Sequence, residues 1–228
     1  MGQRKFQSKK KRSNAPPFVF MNGKTLWSEV WLQLPFSRQV IYLSLKARYN
    51  GQNNGRIYFP YLEFKDQFKA KKTFYDALID LEALGWISRF RIGGKYRFYY
   101  LYELTGRYDE ILKPRKPFVG LDRNIFVHPR WRNLSCTAKS HYLLFKCSKK
   151  GWTDEVLTLP YSKTRALCAP GTSKKARDEL IAGEWIEEVG VECGMFGKAK
   201  GYKLTRYWDH WPEKASVVYG KYIQGAKN

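Results

Sequence analysis

A chain of 228 residues and 26.9 kDa is long enough for two domains of about 100 residues, and 43% hydrophobic with 17% aromatic residues supplies their cores, which excludes disorder except at the ends. Forty-two Lys and Arg against 20 Asp and Glu leave a net charge of +22, with a pI near 9.8; because the excess divides evenly between the two halves, it implies a polyanionic partner, with nucleic acid ahead of an anionic membrane surface. No run of 18 apolar residues occurs, so no membrane-spanning helix and no membrane partner are expected.

The first 17 residues, with Arg4, Lys5, Lys9, Lys10, Lys11 and Arg12, read as a basic flexible tail: a phosphate-binding arm or a solubilising end. They lack the apolar core of a signal peptide, and Phe6 stands where myristoylation needs Ser or Thr. Asn22-Gly23-Lys24-Thr25 echoes a phosphate-binding loop, but Phe18 occupies the place of its first glycine, so no phosphate cradle is expected.

SRQVIYLSLKARYNG predicts a helix capped by Ser37 and stopped at Gly51. YLEFKDQF, after Pro60, predicts a short second helix, and KAKK a turn. Thr73 to Leu84 predicts a third helix, with Thr73 and Asp76 as a capping box and Phe74, Ala77, Leu78 and Leu81 as its apolar stripe. The period then drops to two: WISRFRI and KYRFYYLYEL predict strands joined at Gly93-Gly94 as a hairpin.

The pattern recurs. With a shift of 100, Pro17, Phe18, Val19, Trp31, Leu34, Tyr42, Leu43, Pro60 and Tyr61 meet identical residues in the second half; with a shift of 99, Leu81, Trp86 and Ile87 meet Leu180, Trp185 and Ile186; Tyr102, Leu104 and Thr105 restore the shift of 100. The chain therefore reads as a duplicated unit of about 95 residues. The expected division is a tail at 1–17, one copy at 18–112, a basic linker at 113–117 (KPRKP), a second copy at 118–212 and a C-terminal tail at 213–228. Extended as polyproline, the linker would hold two separately cored domains about 16 Å apart. The second copy departs in places: Ser173 replaces Phe74, Arg177 replaces Leu78 and is expected to snorkel, Pro170-Gly171 is expected to shorten the turn, and Glu184 stands where Gly85 did.

Helix, helix, turn, helix, hairpin is an α+β layout. The phrase carried by Leu81, Gly85, Trp86, Ile87, Gly93, Gly94, Tyr102 and Leu104 resembles the segment leading from third helix into wing in the winged helix-turn-helix domains of prokaryotic DNA-binding proteins. Two such units in tandem are similar to replication initiators of plasmids and phages. The resemblance implies two tandem winged-helix domains that bind double-stranded DNA, in transcriptional regulation or replication initiation, from the cytoplasm and on the nucleoid. Two readers on one chain would let a monomer grip an extended site, with a homodimer left open. A single-stranded DNA or RNA binder, and an architectural or packaging protein, are the alternatives.

The outward face of the third helix offers Lys71, Lys72, Thr73, Tyr75 and Asp76 as base-reading candidates, with Ile79 beside them; Thr172, Ser173, Lys174, Lys175 and Asp178 are their counterparts in the second copy. The first wing carries Arg89, Arg91, Lys95 and Arg97 for phosphate or minor-groove contacts. The second places Glu187, Glu188 and Glu192 before Lys198, Lys200 and Lys203, and should bind more weakly. Tyr96, Phe98, Tyr100 and Tyr102 share one strand face, which either stacks on unpaired bases or, more cheaply, packs into the core. Cys136, Cys147, Cys168 and Cys193 form no C-x-x-C pair, and His128, His141 and His210 do not join them at zinc spacing. Reduced buried thiols, no metal, no cofactor and no catalytic residues are therefore expected.

Overall fold

The computed structural model describes residues 18–68, 70–93, 98–108, 118–148, 156–159, 164, 167–192 and 198–205. The expected tails at 1–17 and 213–228 and the linker at 113–117 lie outside them. The fold is α+β, with small antiparallel sheets.

The first copy begins with strand β1 (Phe18–Asn22), followed by two single-turn helices, α1 (Gly23–Leu26) and α2 (Glu29–Leu32). The phosphate-loop echo has a different purpose here: the Asn22 side chain accepts the Lys24 N–H at 2.9 Å and caps α1. Helix α3 runs Phe36–Arg48, one residue ahead of the expected cap. Ser37 therefore sits inside the first turn, where its hydroxyl accepts from Arg38. Strand β2 (Ile57–Tyr58) follows, and then the expected second helix, which is only a 3-10 turn at Tyr61–Glu63. Helix α4 spans Lys71–Ala83 and opens at Ala70 with no side-chain cap. Thr73 is already helical, so no capping box forms, and Asp76 turns instead to Lys72. Strands β3 (Ile87–Gly93) and β4 (Phe98–Leu104) pair antiparallel, and β2 adds to the far side of β4.

The second copy repeats the order: β5 (Phe118–Asp122), a 3-10 turn at Arg123–Val127, α5 (Pro129–Asn133), α6 (Cys136–Ser148), α7 (Pro170–Ala182), β6 (Ile186–Glu192) and β7 (Lys198–Leu204). Pro170 does not shorten a turn. It opens α7, where its fixed φ fits and its missing N–H is not needed. Leu157 bridges Tyr202 as Ile57 pairs with Tyr102.

The repeated tryptophans explain why the phrase occurs twice. Trp31, Tyr42 and Trp86 form a buried triad with ring centroids 5.0–6.0 Å apart. Trp131, Tyr142 and Trp185 rebuild it at 5.2–5.8 Å. Each triad ties the α2 or α5 turn, the long helix behind it and the start of the hairpin into one edge-to-face aromatic knot.

The copies do not stand apart on their own cores. β1 pairs with β5 in a two-stranded antiparallel sheet: Phe18 lies opposite Asp122, Phe20 opposite Gly120, and Asn22 opposite Phe118. Since 18 and 22 correspond to 118 and 122, this register is that of a local dyad through Phe20 and Gly120. The Phe20 ring packs over Gly120, at ordinary contact distance (3.5 Å) from an ideal Cβ there, and meets Phe118 edge-on at 5.2 Å. Beneath the sheet, Val19, Met21, Val119 and Leu121 are buried together. α3 packs on α6, Phe36 reaches the His141 ring at 6.2 Å, and Arg123 donates to the Tyr49 carbonyl. One hydrophobic cluster includes residues of both copies.

Glu184 takes the place of Gly85 in conformation as well as in sequence. Gly85 has φ +76 and Glu184 +61, the left-handed region that disfavours a Cβ. Gly183 precedes it because an added Cβ would lie 2.7 Å from the Trp185 ring. The Glu184 carboxylate meets Arg130 at 2.6 Å, but both side chains are largely exposed, so this pair offsets little of the strain. Glu184→Gly should therefore raise stability by about 0.5–1 kcal/mol, read as a higher urea midpoint at unchanged slope.

Candidate nucleic-acid interface

Helix α4 buries Phe74, Ala77, Leu78 and Leu81, as its stripe predicts. That fixes what faces outward: Lys71, Lys72, Thr73, Tyr75 and Ile79 are exposed and Asp76 is half-buried. The face is already ordered by its own contacts. Lys72 Nζ meets Asp76 Oδ2 at 2.6 Å, Lys71 Nζ lies 5.8 Å from the Tyr75 ring, and Tyr75 leans on Tyr61 at 6.4 Å. The Lys72–Asp76 pair is solvent-exposed and so is weak and easily exchanged. One turn on, Arg38 holds Asp80 through two nitrogens at 2.9 and 2.6 Å, which removes that carboxylate from the open face.

The first hairpin divides its arginines. Arg89 meets Glu82 at 2.8 Å and lies 4.8 Å from the Tyr100 ring, so it braces β3 against α4. Arg91 is exposed. Lys95 and Arg97 lie outside the described residues. Of the expected aromatic row, Tyr102 is buried and Tyr100 is partly buried against the core, while Tyr96 and the side chain of Phe98 fall outside the described set. Core packing wins at Tyr102, where burial also pushes the phenol pKa far above its ordinary value.

In the second copy Thr172, Lys174, Lys175 and Asp178 are exposed on α7. Ser173 is not: it is 1% exposed and belongs to the interior. The reason is its register with Phe74. Its hydroxyl lies 3.0 Å from His141 Nε2 and accepts from Arg177 Nη1 at 2.8 Å. His141 Nδ1 faces the Thr137 carbonyl at 2.9 Å; a carbonyl only accepts, so Nδ1 carries the proton and Nε2 accepts from Ser173. Burial lowers the His141 pKa, which keeps this relay neutral. Arg177 is thus half-buried with its guanidinium on Ser173, rather than snorkelling to solvent. On the hairpin, Lys200 is exposed and paired with Glu188 at 2.8 Å, and Lys203 is half-buried, facing Glu187 in the strand register. Lys198 lies in β7, but its side chain is outside the described set.

A second difference between the copies is buried. Gln39 Nε2 donates to the Trp31 and Leu34 carbonyls, both at 3.0 Å. In the second copy Lys139 does this work, donating to the Arg132 and Leu134 carbonyls at 3.2 and 2.7 Å while wholly buried. Desolvation lowers its pKa from 10.5 to about 8. Between those values the unfolded chain binds the proton that the folded chain releases, so the strain is full below pH 8 and stability rises with pH through this window. Lys139→Gln, which copies the first half, should stabilise the protein at pH 7 by about 1–3 kcal/mol and flatten stability between pH 8 and 10.5, as followed by urea titration across that range.

One surface escapes a reading by composition. The outer face of the first sheet exposes Tyr58, Phe90, Ile92 and Tyr99. Counting every second residue through Tyr102 selects the inward face, and only the comparison with Val189, Val191 and Ala199 of the other copy marks the outward one as unusual. Among the described residues no group of three His, Cys, Asp or Glu is placed to hold a metal, and no helix is long and apolar enough to cross a membrane. No protein-family model, curated protein or solved structure matches this chain.

Proposed function

We propose that the chain binds duplex DNA through two winged-helix copies, α4 and α7 entering major grooves while the hairpins β3–β4 and β6–β7 follow the backbone. The observation that carries this reading is duplicated. Both helices have an alanine at the N-cap with no side-chain cap and no acid in the first turn, and each exposes a threonine as its third residue with a pair of lysines nearby: Lys71 and Lys72 in the first turn of α4, Lys174 and Lys175 one turn further on in α7. A helix start without a cap leaves N–H groups for an anion, and the two lysines in the first turn of α4 oppose the helix dipole unless an anion arrives.

The local dyad adds a geometric consequence. Two readers related by a two-fold axis favour a site of two inverted half-sites, and both readers reside on one chain, so a monomer suffices. The second reader is the weaker because Glu187 and Glu188 are exposed on its hairpin. From the resemblance to initiators and regulators of mobile elements, the reading takes a role as transcriptional regulator or replication initiator, on the nucleoid in the cytoplasm. Genome-wide mapping of bound DNA separates these from a packaging role: one cluster of sites supports regulator or initiator, uniform coverage supports packaging.

Affinity for a duplex measured at rising salt tests the reading. With six or more phosphates neutralised, it should fall about a thousandfold or more between about 50 and 200 mM salt. A flat response would remove the nucleic-acid reading.

A further inference from the structure

The outer face of the β2–β4–β3 sheet presents a row that the fold does not require. Tyr58, Phe90, Ile92 and Tyr99 are 47%, 44%, 39% and 47% exposed. Strand register puts them side by side: Ile92 is opposite Tyr99, and Leu101 lies between Phe90 and Tyr58. The Tyr58 and Tyr99 rings meet edge-on, 5.8 Å apart. The two sheets bury equivalent inner residues, Ile87 with Ile186 and Tyr102 with Tyr202. On the outer side, however, the second copy has Thr158, Val189, Val191, Ala199 and Gly201 at the corresponding places. The duplicated scaffold is therefore complete without this row, and an aromatic patch left in solvent marks a binding surface.

Charge decides what covers it. A second copy of this chain brings another +22 and is repelled, whereas a polyanion is attracted. Arg56, two residues before Tyr58, is exposed, so a cation borders the rings at the β2 edge. Glu103, half-buried on the same face, lies opposite Ser88, at the end away from Tyr99. Three strands span roughly 10 Å, enough for two unpaired bases.

We propose that the outer face of the first sheet, built on Tyr58, Phe90 and Tyr99, is a stacking platform for the unpaired bases of a nucleic-acid strand, with a phosphate against Arg56. Aromatic rings stack on any base, so the platform is tolerant of sequence. It rests on the nucleic-acid reading of the charge, but not on the groove-reading helices, and it lies on a different face from the buried Tyr102.

The test uses the full chain, a labelled oligo-dT of 12 nucleotides and a duplex of equal length. Tyr58→Ala/Tyr99→Ala, at exposed positions, should keep the native melting profile, lose at least tenfold in oligo-dT affinity and hold duplex affinity within about twofold. Tyr99→Phe keeps the ring and should keep both. Oligo-dT affinity unchanged in the double variant, with duplex binding intact, overturns the platform alone. The same conclusion follows if sedimentation shows a dimer that the double variant dissolves without loss of oligo-dT affinity, since the face then joins two copies. Failure of the unaltered chain to bind either ligand overturns the platform and the duplex reading together.

Discussion

Trp86→Ala is expected to cost about 3–5 kcal/mol and to lower one unfolding transition shared by both halves. The indole is 1% exposed and holds the hairpin to Trp31 and Tyr42 at 5.5 and 5.0 Å, so its removal opens a cavity at the centre of the first triad. The loss is a large part of the stability of an ordinary domain. It should spread because β1 and β5 make one sheet and the core includes residues of both copies. Trp185→Ala, in the twin triad, should move the same transition by a similar amount. Calorimetry checks this directly. Two transitions, each sensitive to only one tryptophan, would mean that the halves unfold independently and that the β1–β5 sheet is a minor contact.

The second large effect concerns recognition. Lys72→Ala/Tyr75→Ala should weaken duplex binding by one to two orders of magnitude, about 1–3 kcal/mol, and change the preferred sequence, because both side chains sit on the exposed face of α4 and base contacts specify. Arg91→Ala should weaken all sequences alike and reduce the salt slope by about one, as loss of a phosphate contact does. Arg89→Ala should behave differently from its neighbour. Its partners are Glu82 and the Tyr100 ring, so its removal should lower the melting temperature as well as affinity. Binding selections and salt titrations on the three variants separate these outcomes.

The features readable in the sequence were those that repeat at a fixed shift and depend on neighbours close in the chain. The stripe of α4, the hairpin strands, the paired tryptophans and the equivalence of Glu184 with Gly85 all belong to this class, and the positive φ at both positions bears out that register. The joining of the copies was not readable. Five residues such as FVFMN have no pairing partner within their own copy, and the one they use begins 96 residues later, at Phe118. Without that pairing, a proline-containing linker suggests spacing. Helix starts are not legible in the same way: Ser37 and Thr73 can cap in principle, yet both lie inside a first turn that begins at Phe36 and Lys71. On the interface, a small polar residue at a core position, Ser173, has the sequence signature of a surface one, because the His141 and Arg177 that satisfy it come from α6 and from the next turn of α7.

Selection of bound sites from a random duplex library, followed by footprinting of the intact chain, addresses the central claim most directly. The local dyad through Phe20 and Gly120 and the paired lysine faces of α4 and α7 predict two unequal half-sites in inverted orientation. Their centres should lie about 10 base pairs apart, or a multiple of that, with the stronger half-site altered by Lys72→Ala/Tyr75→Ala. A single half-site, two half-sites in direct orientation, or no enriched sequence at all would contradict it.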